Sequence, residues 1–171
     1  MNLDDLPPPE VMWSGQFVRA LKRGKWEYAS RANDIKAVVI LAEYEGKVIL
    51  IDQPRVAPGR RCIELPAGLI GDEDENATAE TTAIKELEEE TGFSADRIEP
   101  LGDFHASPGM LSESFTLVRA HGVRRVGEGG GDEHEDINVH LVARGDIPGF
   151  VEQKRGEGFA IDVKLLMFLG F

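Results

Sequence analysis

One segment with a strong helical pattern, residues 76–91, lies in the middle of a chain whose other segments mostly favour β-strands. Within it the apolar residues Ala79, Ala83 and Leu87 recur every four positions, so one face of the helix is expected to pack on a sheet. Gly92 follows as the residue that ends the helix. A central helix with strands on both sides predicts the α+β fold class.

The segments around this helix carry the signals of strands and turns. Ala37–Leu41 and residues 47–52 are rich in β-branched side chains, and Glu45-Gly46 lies between them, which predicts a hairpin. Residues 15–31 predict two further short strands around a turn. The other expected elements are strands at 62–70 (broken at Pro66), 98–105, 114–120 and 137–143, a mobile glycine-rich loop at 126–136, and helices at 146–155 and 160–169.

Composition limits the class of protein. The 171 residues are enough for one hydrophobic core, and the net charge of −12 argues against a nucleic-acid binder while it suits a protein that binds cations. The single cysteine, Cys62, cannot form an intramolecular disulfide, so a reducing, cytoplasmic location is expected. The N-terminus is acidic and proline-rich, unlike a signal peptide, and no apolar run approaches the ~18 residues of a membrane span.

Three carboxylates share one face of the predicted helix. Glu86, Glu89 and Glu90 stand at positions i, i+3 and i+4, where like charges repel by a few tenths of a kcal/mol per pair. A hard divalent cation between them would remove this repulsion. An acidic run of this kind, taken alone, is also compatible with an ordinary solvated helix face.

The segment KELEEETGF, residues 85–93, resembles the second half of the Nudix box, Gly-x5-Glu-x7-Arg-Glu-U-x-Glu-Glu-x-Gly-U, where U is apolar. Lys85 occupies the arginine position. The first half of the box differs from the motif: strict spacing places Gly71 at the glycine position and Ala77 at the glutamate position. The segment ELPAGLI, which resembles the ADP-ribose pyrophosphatase branch, instead puts Gly68 on the glycine, with three extra residues before the helix. The missing carboxylate could then come from Glu73, Asp74 or Glu75.

The resemblance implies a fold and a division of the chain. The fold is a Nudix α/β/α sandwich with a mixed sheet, plus a small N-terminal antiparallel β subdomain. Residues 1–34 would be an N-terminal arm and this subdomain, which serves dimerisation and base recognition. Residues 35–171 would be the Nudix hydrolase domain. A homodimer is the implied assembly.

The resemblance also implies a metal cofactor, Mg²⁺ with Mn²⁺ as the alternative. The acidic segment at residues 131–142 resembles the branch's loop that carries the catalytic base, here Glu133. Glu89 would be both a catalytic residue and a metal ligand. A surface loop without a catalytic role is the alternative for this segment. The implied metal ligands are Glu86, Glu89, Glu90, Glu135 and the backbone carbonyl of Ala67.

Five residues are implied to bind the substrate. Arg55 would contact the diphosphate, and Trp26 would stack on adenine with Arg31 nearby. Pro108 resembles a marker of the branch, and Glu64 opens the segment ELPAGLI. The alternatives are a surface arginine for Arg55, a core or dimer-interface tryptophan for Trp26, and an ordinary turn proline for Pro108.

The activity implied is Mg²⁺-dependent hydrolysis of the diphosphate bond of a nucleoside diphosphate sugar. ADP-ribose, cleaved to AMP and ribose 5-phosphate, is the first candidate, and Glu133 would orient or deprotonate the attacking water. Another substrate such as GDP-mannose, a different ADP-sugar or a dinucleotide is the near alternative. A Nudix-like module that binds a nucleotide without hydrolysing it is the other, and it is favoured by Lys85 and the altered first half of the box.

Overall fold

The β-rich pattern of the sequence forms fourteen strands and two α-helices in a computed structural model, which describes residues 2–33, 35–71, 76–132 and 134–170. Helix α1 spans Ala79–Thr91 and helix α2 spans Ile147–Gly156, with short 3₁₀ helices at Leu3–Asp5, Arg144–Asp146 and Val163–Phe168. The strands are β1 Glu10–Ser14, β2 Val18–Arg23, β3 Trp26–Arg31, β4 Ala37–Leu41, β5 Glu43–Tyr44, β6 Lys47–Arg55, β7 Arg60–Glu64, β8 Ala67–Leu69, β9 Phe93–Ser94, β10 Arg97–Phe104, β11 Phe115–His121, β12 Arg124–Arg125, β13 Asn138–Ala143 and β14 Ala160–Ile161.

The strands form three larger sheets and one short pair, β12 with β9. The N-terminal sheet is antiparallel, in the order β1-β2-β3. A second sheet has the order β10-β11-β4-β8, in which β4 and β11 are parallel. A third has the order β13-β6-β7-β14, with β5 beside β6 and with β7 and β14 parallel. The predicted α+β class, the mixed sheet and the small N-terminal antiparallel sheet are confirmed.

Strand β4 lies at the centre of the core. Its side chains alternate between two apolar clusters, with Val38 and Ile40 facing the cluster that includes α1, and Val39 and Leu41 facing the cluster that includes α2. Burial on both faces explains why the sequence of this strand is continuously apolar. Strand β4 and its neighbours therefore lie between helix α1 on one side and helix α2 on the other.

The predicted hairpin is right in its turn and wrong in its pairing. Glu45 and Gly46 both have positive φ, 49° and 74°, as a two-residue hairpin turn requires. The strand that pairs with β6 across this turn, however, is the two-residue β5 and not β4. Strand β4 pairs instead with β8 and β11, because its two buried faces place it inside the second sheet.

The ends of the chain also differ from the prediction. The expected helix at residues 160–169 is wrong: Ala160–Ile161 pairs with β7, and a 3₁₀ helix follows. In that helix the buried residues Leu165 and Phe168 are three positions apart, which matches the three-residue repeat of a 3₁₀ helix. The two strands predicted in residues 15–31 are present, but β1 joins them as a third strand. Across the described parts of the chain, no helix is both long and apolar enough to cross a membrane.

The C-terminal end of α1 is bound to the glycine-rich loop. Gly92 ends the helix in the left-handed conformation, with φ 73°, as predicted. Its carbonyl accepts hydrogen bonds from the N–H groups of Val126 and Gly127, at 2.8 and 2.9 Å. Farther along, the N–H groups of Gly130 and Gly131 donate to the carbonyls of helix residues 90 and 89. The loop therefore satisfies the free carbonyls of the helix end.

Two glycines with the same backbone conformation allow a test of this contact. Gly46→Ala should lower the free energy of unfolding by about 1 kcal/mol, because its φ is positive while the space around it is open. Gly92→Ala should cost about 1–3 kcal/mol more, since an added Cβ would lie 2.5 Å from the carbonyl oxygen of Gly127. Urea unfolding of both variants measures the difference. Equal losses would show that the loop is not packed tightly on the helix end.

Candidate active site

A cleft of about 930 Å³ opens between α1, the strands β7 and β8, and the loop that follows β12. Backbone and side chains from distant parts of the sequence meet there because α1 packs directly on the sheet beside β8. Eight of the residues predicted for the site line this cleft: Arg31, Arg55, Glu64, Ala67, Glu86, Glu89, Glu90 and Glu135.

Glu90 is the most deeply buried carboxyl group of the cleft, with a relative exposure of 2%. Its Oε2 accepts a hydrogen bond of 3.0 Å from the N–H of Ala67 on β8. Burial raises the pKa of Glu90 to about 8; the negative charges of Glu86 and Glu135 add to this rise, while the Ala67 N–H and Arg55 oppose it. The alternative of an ordinary solvated helix face is therefore wrong for Glu90.

Glu86 lies against the backbone of Gly68, the residue of β8 that follows Ala67. A Cβ added to Gly68 would overlap the carboxylate of Glu86, so a larger residue at this position would require the Glu86 side chain to turn away. Two consecutive residues of β8, Ala67 and Gly68, thus contact two carboxylates of α1. This contact sets the distance between the helix and the strand at the floor of the cleft.

Glu89 is the exposed member of the three. Its Oε2 lies 3.5 Å from Nζ of Lys85, and both side chains are about half exposed. Lys85 occupies the arginine position of the motif, and here it pairs with a glutamate one helical turn away. An exposed pair of this kind contributes little to stability. It does place a cation beside the outermost carboxylate of the cleft.

Arg55 is held by a two-point ion pair. Its Nε and Nη2 donate to the two carboxylate oxygens of Glu64, at 2.8 and 2.7 Å. Glu64 is buried, and its hydrogen bonds raise the pKa of Arg55 above the ordinary value. A guanidinium has five donor hydrogens, so this pairing leaves others free to face the cleft.

Arg31 brings the N-terminal sheet to the cleft. Its Nε forms an ion pair with Glu113, and both residues line the cleft. Backbone hydrogen bonds hold the same sheet in place: the N–H of Ala29 donates to the carbonyl of Met110 at 2.9 Å, and the carbonyl of Ala29 accepts from the N–H of Ser112 at 3.0 Å. The sheet β1-β2-β3 therefore forms one wall next to the acidic helix.

Two predicted site residues lie apart from the cleft in the single chain. Trp26 is 49% exposed on β3, where Lys25 Nζ lies 5.4 Å from its ring centre. Pro108 is exposed in the segment between β10 and β11. Neither lines the cleft. Glu133, and the loop carboxylates Glu73, Asp74 and Glu75, lie outside the described residues.

The cleft lining also includes residues that were not predicted, among them Asp162, Lys164 and Phe115. Lys164 forms an ion pair of 2.6 Å with Asp162, and its Nζ lies 5.4 Å from the ring centre of Phe115. All three line the cleft. No local pattern predicts Asp162 and Lys164 for the site, because they follow β14, and the pairing of β14 with β7 is a contact between distant segments.

The donor set suits a hard divalent cation. Carboxylates and a backbone carbonyl are the ligands that Mg²⁺ prefers. The negative charges of Glu86 and Glu135 add to the raised pKa of Glu90, and a cation between these groups would remove that repulsion. As placed, no three His, Cys, Asp or Glu groups among the described residues are arranged to hold a metal ion. Glu90 is bonded to Ala67 and Glu86 lies against Gly68, so binding would need side chains to turn.

Glu90 predicts a pH dependence of stability in the metal-free protein. Its folded pKa of about 8 exceeds the ordinary 4.5, so the unfolded chain loses its proton first as the pH rises. The free energy of unfolding should therefore fall between about pH 4.5 and 8, by up to about 1.4 kcal/mol per pH unit, and level off above. Glu90→Gln should lack this fall.

The measurement is urea unfolding in EDTA across this pH range. Glu88→Gln is the matched control, because Glu88 is exposed on the same helix and does not line the cleft. It should keep the profile of the unmodified protein. If Glu90→Gln instead follows the same profile, the carboxyl group of Glu90 is ionised in the folded protein at neutral pH.

Comparison of the sequence with known proteins identifies a family. The NUDIX domain model matches residues 33–157. The methanol dehydrogenase activator of Bacillus methanolicus is 30% identical over 154 residues, which cover 85% of this chain and 82% of that protein. The ADP-ribose pyrophosphatase of Escherichia coli O6:H1 is 32% identical over 166 residues, which cover 90% of this chain and 74% of that protein.

A solved structure agrees with these matches. The crystal structure of an ADP compounds hydrolase superposes with a TM-score of 0.67 at 22% identity, and the match covers 86% of this chain and 82% of that one. This likeness shows a shared fold. Since the family model spans most of the sequence and the motif residues meet in one cleft, the chain belongs to the Nudix family and resembles its ADP-ribose pyrophosphatases.

Proposed function

We propose that this Nudix pyrophosphohydrolase cleaves the diphosphate bond of a nucleoside diphosphate sugar, with ADP-ribose as the first candidate. The observation that carries the proposal is one cleft in which a cluster of carboxylates on α1 lies together with the guanidinium groups of Arg31 and Arg55. Cations held by the carboxylates and the two guanidinium groups would together match the negative charge of a diphosphate. AMP and ribose 5-phosphate would be the products.

The arginines are suited to bind and orient the diphosphate. The buried carboxylate of Glu64 fixes the plane of the Arg55 guanidinium through two hydrogen bonds. A guanidinium that is held in one orientation loses less conformational entropy when it binds phosphate oxygens. Arg31, held by Glu113, offers a second cation from the opposite wall. Glu64 is thus proposed to act on the substrate through Arg55.

The carboxylates are proposed to hold Mg²⁺, with Mn²⁺ as the alternative ion. When bound, such an ion would neutralise the phosphate charge and polarise the phosphoryl oxygens. Glu89 is the exposed member, so a cation that enters from solvent would reach its carboxylate first. Glu90, Glu86 and the backbone of Ala67 form the buried side of the same group.

Glu133 is proposed as the general base. It lies in the loop whose neighbours Asp132 and Glu135 line the cleft. Its carboxylate would take a proton from a water molecule that attacks one phosphorus, and the bond from that phosphorus to the bridging oxygen would break.

The N-terminal residues are proposed to serve dimerisation and base recognition. The sheet formed by residues 10–31 leaves large apolar side chains exposed, namely Val11, Met12, Trp13, Phe17, Val18 and Trp26. A homodimer that covers this surface would bury them and would bring Trp26 toward a binding site, where its ring could stack on a base. Sedimentation measurements at several concentrations would test the assembly.

The activity is tested by product analysis with ADP-ribose. Formation of AMP should require Mg²⁺ or Mn²⁺ and should stop in EDTA, because the acidic cleft repels a diphosphate without a cation. GDP-mannose, other ADP-sugars and dinucleotides, assayed in parallel, identify the preferred substrate. Binding of ADP-ribose without turnover of any of these compounds would contradict the proposal in favour of a non-hydrolysing nucleotide-binding module.

A pair of substitutions on α1 tests the metal ligands. Glu89→Gln should lower kcat/KM by about 100-fold or more, or about 3 kcal/mol of transition-state stabilisation, because a neutral amide replaces a charged oxygen ligand. The adjacent Glu88→Gln should change it less than about twofold, since Glu88 lies outside the cleft. Full activity in Glu89→Gln would show that this carboxylate is not a ligand.

A further inference from the structure

Arg61, on β7, connects the central sheet to the end of the acidic loop. On one side its guanidinium donates to the carboxylate and, at 3.1 Å, to the backbone carbonyl of Asp52 on β6. On the other side it donates to the carboxylate of Asp136 at 2.6 Å and to the backbone carbonyl of Asp136 at 2.8 Å. One planar side chain therefore joins a core strand to the loop by four hydrogen bonds.

The inner partner of Arg61 is a rigid anchor. Asp52 is 2% exposed and also accepts hydrogen bonds from Asn138 at 3.1 Å and His140 at 2.6 Å. Burial alone would raise the pKa of Asp52, but the hydrogen bonds from His140, Arg61 and Asn138 outweigh it and hold the pKa below its usual value. The anchor is thus an ionised carboxylate fixed by three side chains.

The loop is attached at two places. Before the acidic segment, the N–H groups of Gly130 and Gly131 bond to the helix carbonyls of residues 90 and 89, at 2.9 and 3.0 Å. After it, Asp136 is bound by Arg61. Between these attachments lie only residues 132–135, which include Asp132 and Glu135 of the cleft lining.

A segment this short has few conformations when both of its ends are held. Its internal contacts limit it further: the N–H of Asp132 donates to Glu135 Oε2 at 3.3 Å, and a Cβ on Gly131 would overlap the Glu135 side chain. Release of one end would let the carboxylates of Asp132 and Glu135 move. A displacement of about 1 Å can cost about 10²-fold in rate when the group acts on a reacting atom.

We propose that Arg61 is a positioning residue for the acidic loop: by linking buried Asp52 to Asp136, it sets where the carboxylates of Asp132 and Glu135 stand relative to those of α1. The role in catalysis rests on the function proposed above, while the link itself does not. Arg61 does not line the cleft, so it acts through the loop and not on the substrate. The planar fork is essential, because an ammonium group cannot reach four acceptors on two residues at once.

Loss of an ion pair with only a structural role would change stability rather than the kinetic constants. The side chains of Arg61 and Asp136 are 26% and 69% exposed, so loss of the outer half of the link should affect global stability little. Misplaced loop carboxylates should instead lower kcat and raise the Mg²⁺ concentration needed for half-maximal rate. The KM for ADP-ribose should stay nearly constant, since the arginines of the cleft are untouched.

The test compares Arg61→Lys with Arg60→Lys. Arg60 is the adjacent arginine of β7 and is exposed, with a single hydrogen bond of 3.4 Å to Pro58. We expect Arg61→Lys to lower kcat by about 10-fold or more, with a change in KM of less than about twofold. Amide hydrogen exchange should rise in peptides covering 132–136 and not in those covering α1. Arg60→Lys should change neither quantity.

Asp136→Ala tests the same link from the exposed side, where a substitution is not expected to unfold the protein. It removes the bond to the carboxylate and keeps the one to the backbone carbonyl of residue 136, so its loss should be in the same direction as that of Arg61→Lys and smaller. The double variant should lose no more than Arg61→Lys alone, because the carboxylate bond is already absent there. Unchanged exchange at 132–136 in these variants would overturn the link. Raised exchange with unchanged kcat and Mg²⁺ dependence would overturn the positioning role.

Failure of the proposed function would look different. An unmodified protein that hydrolyses none of the diphosphate compounds would overturn that function, and the exchange measurements would still decide whether Arg61 holds the loop.

Discussion

The contact between two carboxylates of α1 and the backbone of β8 is the interaction on which the site depends. Glu90 accepts the N–H of Ala67, and Glu86 lies against the Cα of Gly68. An uncompensated buried carboxylate is costly, so the hydrogen bond and the raised pKa of Glu90 are what make this approach possible. The apolar face of the same helix, with Leu87 fully buried, holds it there.

The cleft combines charges of opposite sign in an acidic chain. Its carboxylates repel one another on α1, while Arg55 and Arg31 are each held by a glutamate of their own. Such pairs keep the guanidinium groups in place without neutralising every donor. On the arginine side, these ion pairs therefore hold the guanidinium groups in place before a ligand binds. On the glutamate side, carboxylates of like charge lie close together and repel one another. This asymmetry favours a ligand that brings both cations and phosphates.

The acidic loop depends on the same framework. Its glycines bond to the last carbonyls of α1, and Asp136 is tied through Arg61 to a core strand. The helix that carries the candidate metal ligands and the loop that carries further carboxylates are therefore connected through backbone groups as well as through the cleft. A change at either attachment would therefore affect the position of the loop relative to the helix.

Local sequence was enough to predict the helix, its acidic face, its end at Gly92 and most of the strands, because these follow from periodicity and turn chemistry over a few residues. The spacing of the three glutamates predicted one shared helix face, and the resemblance of residues 85–93 to the Nudix box led to their interpretation as metal ligands. Their different environments were not predictable in this way: the burial of Glu90, the pairing of Arg55 with Glu64, and the bridge made by Arg61 all require strands that are distant along the chain. The partner of β4 and the strand at Ala160–Ile161 were missed for the same reason, since which strands pair is decided by burial of both faces in the assembled core and not by any neighbouring residue.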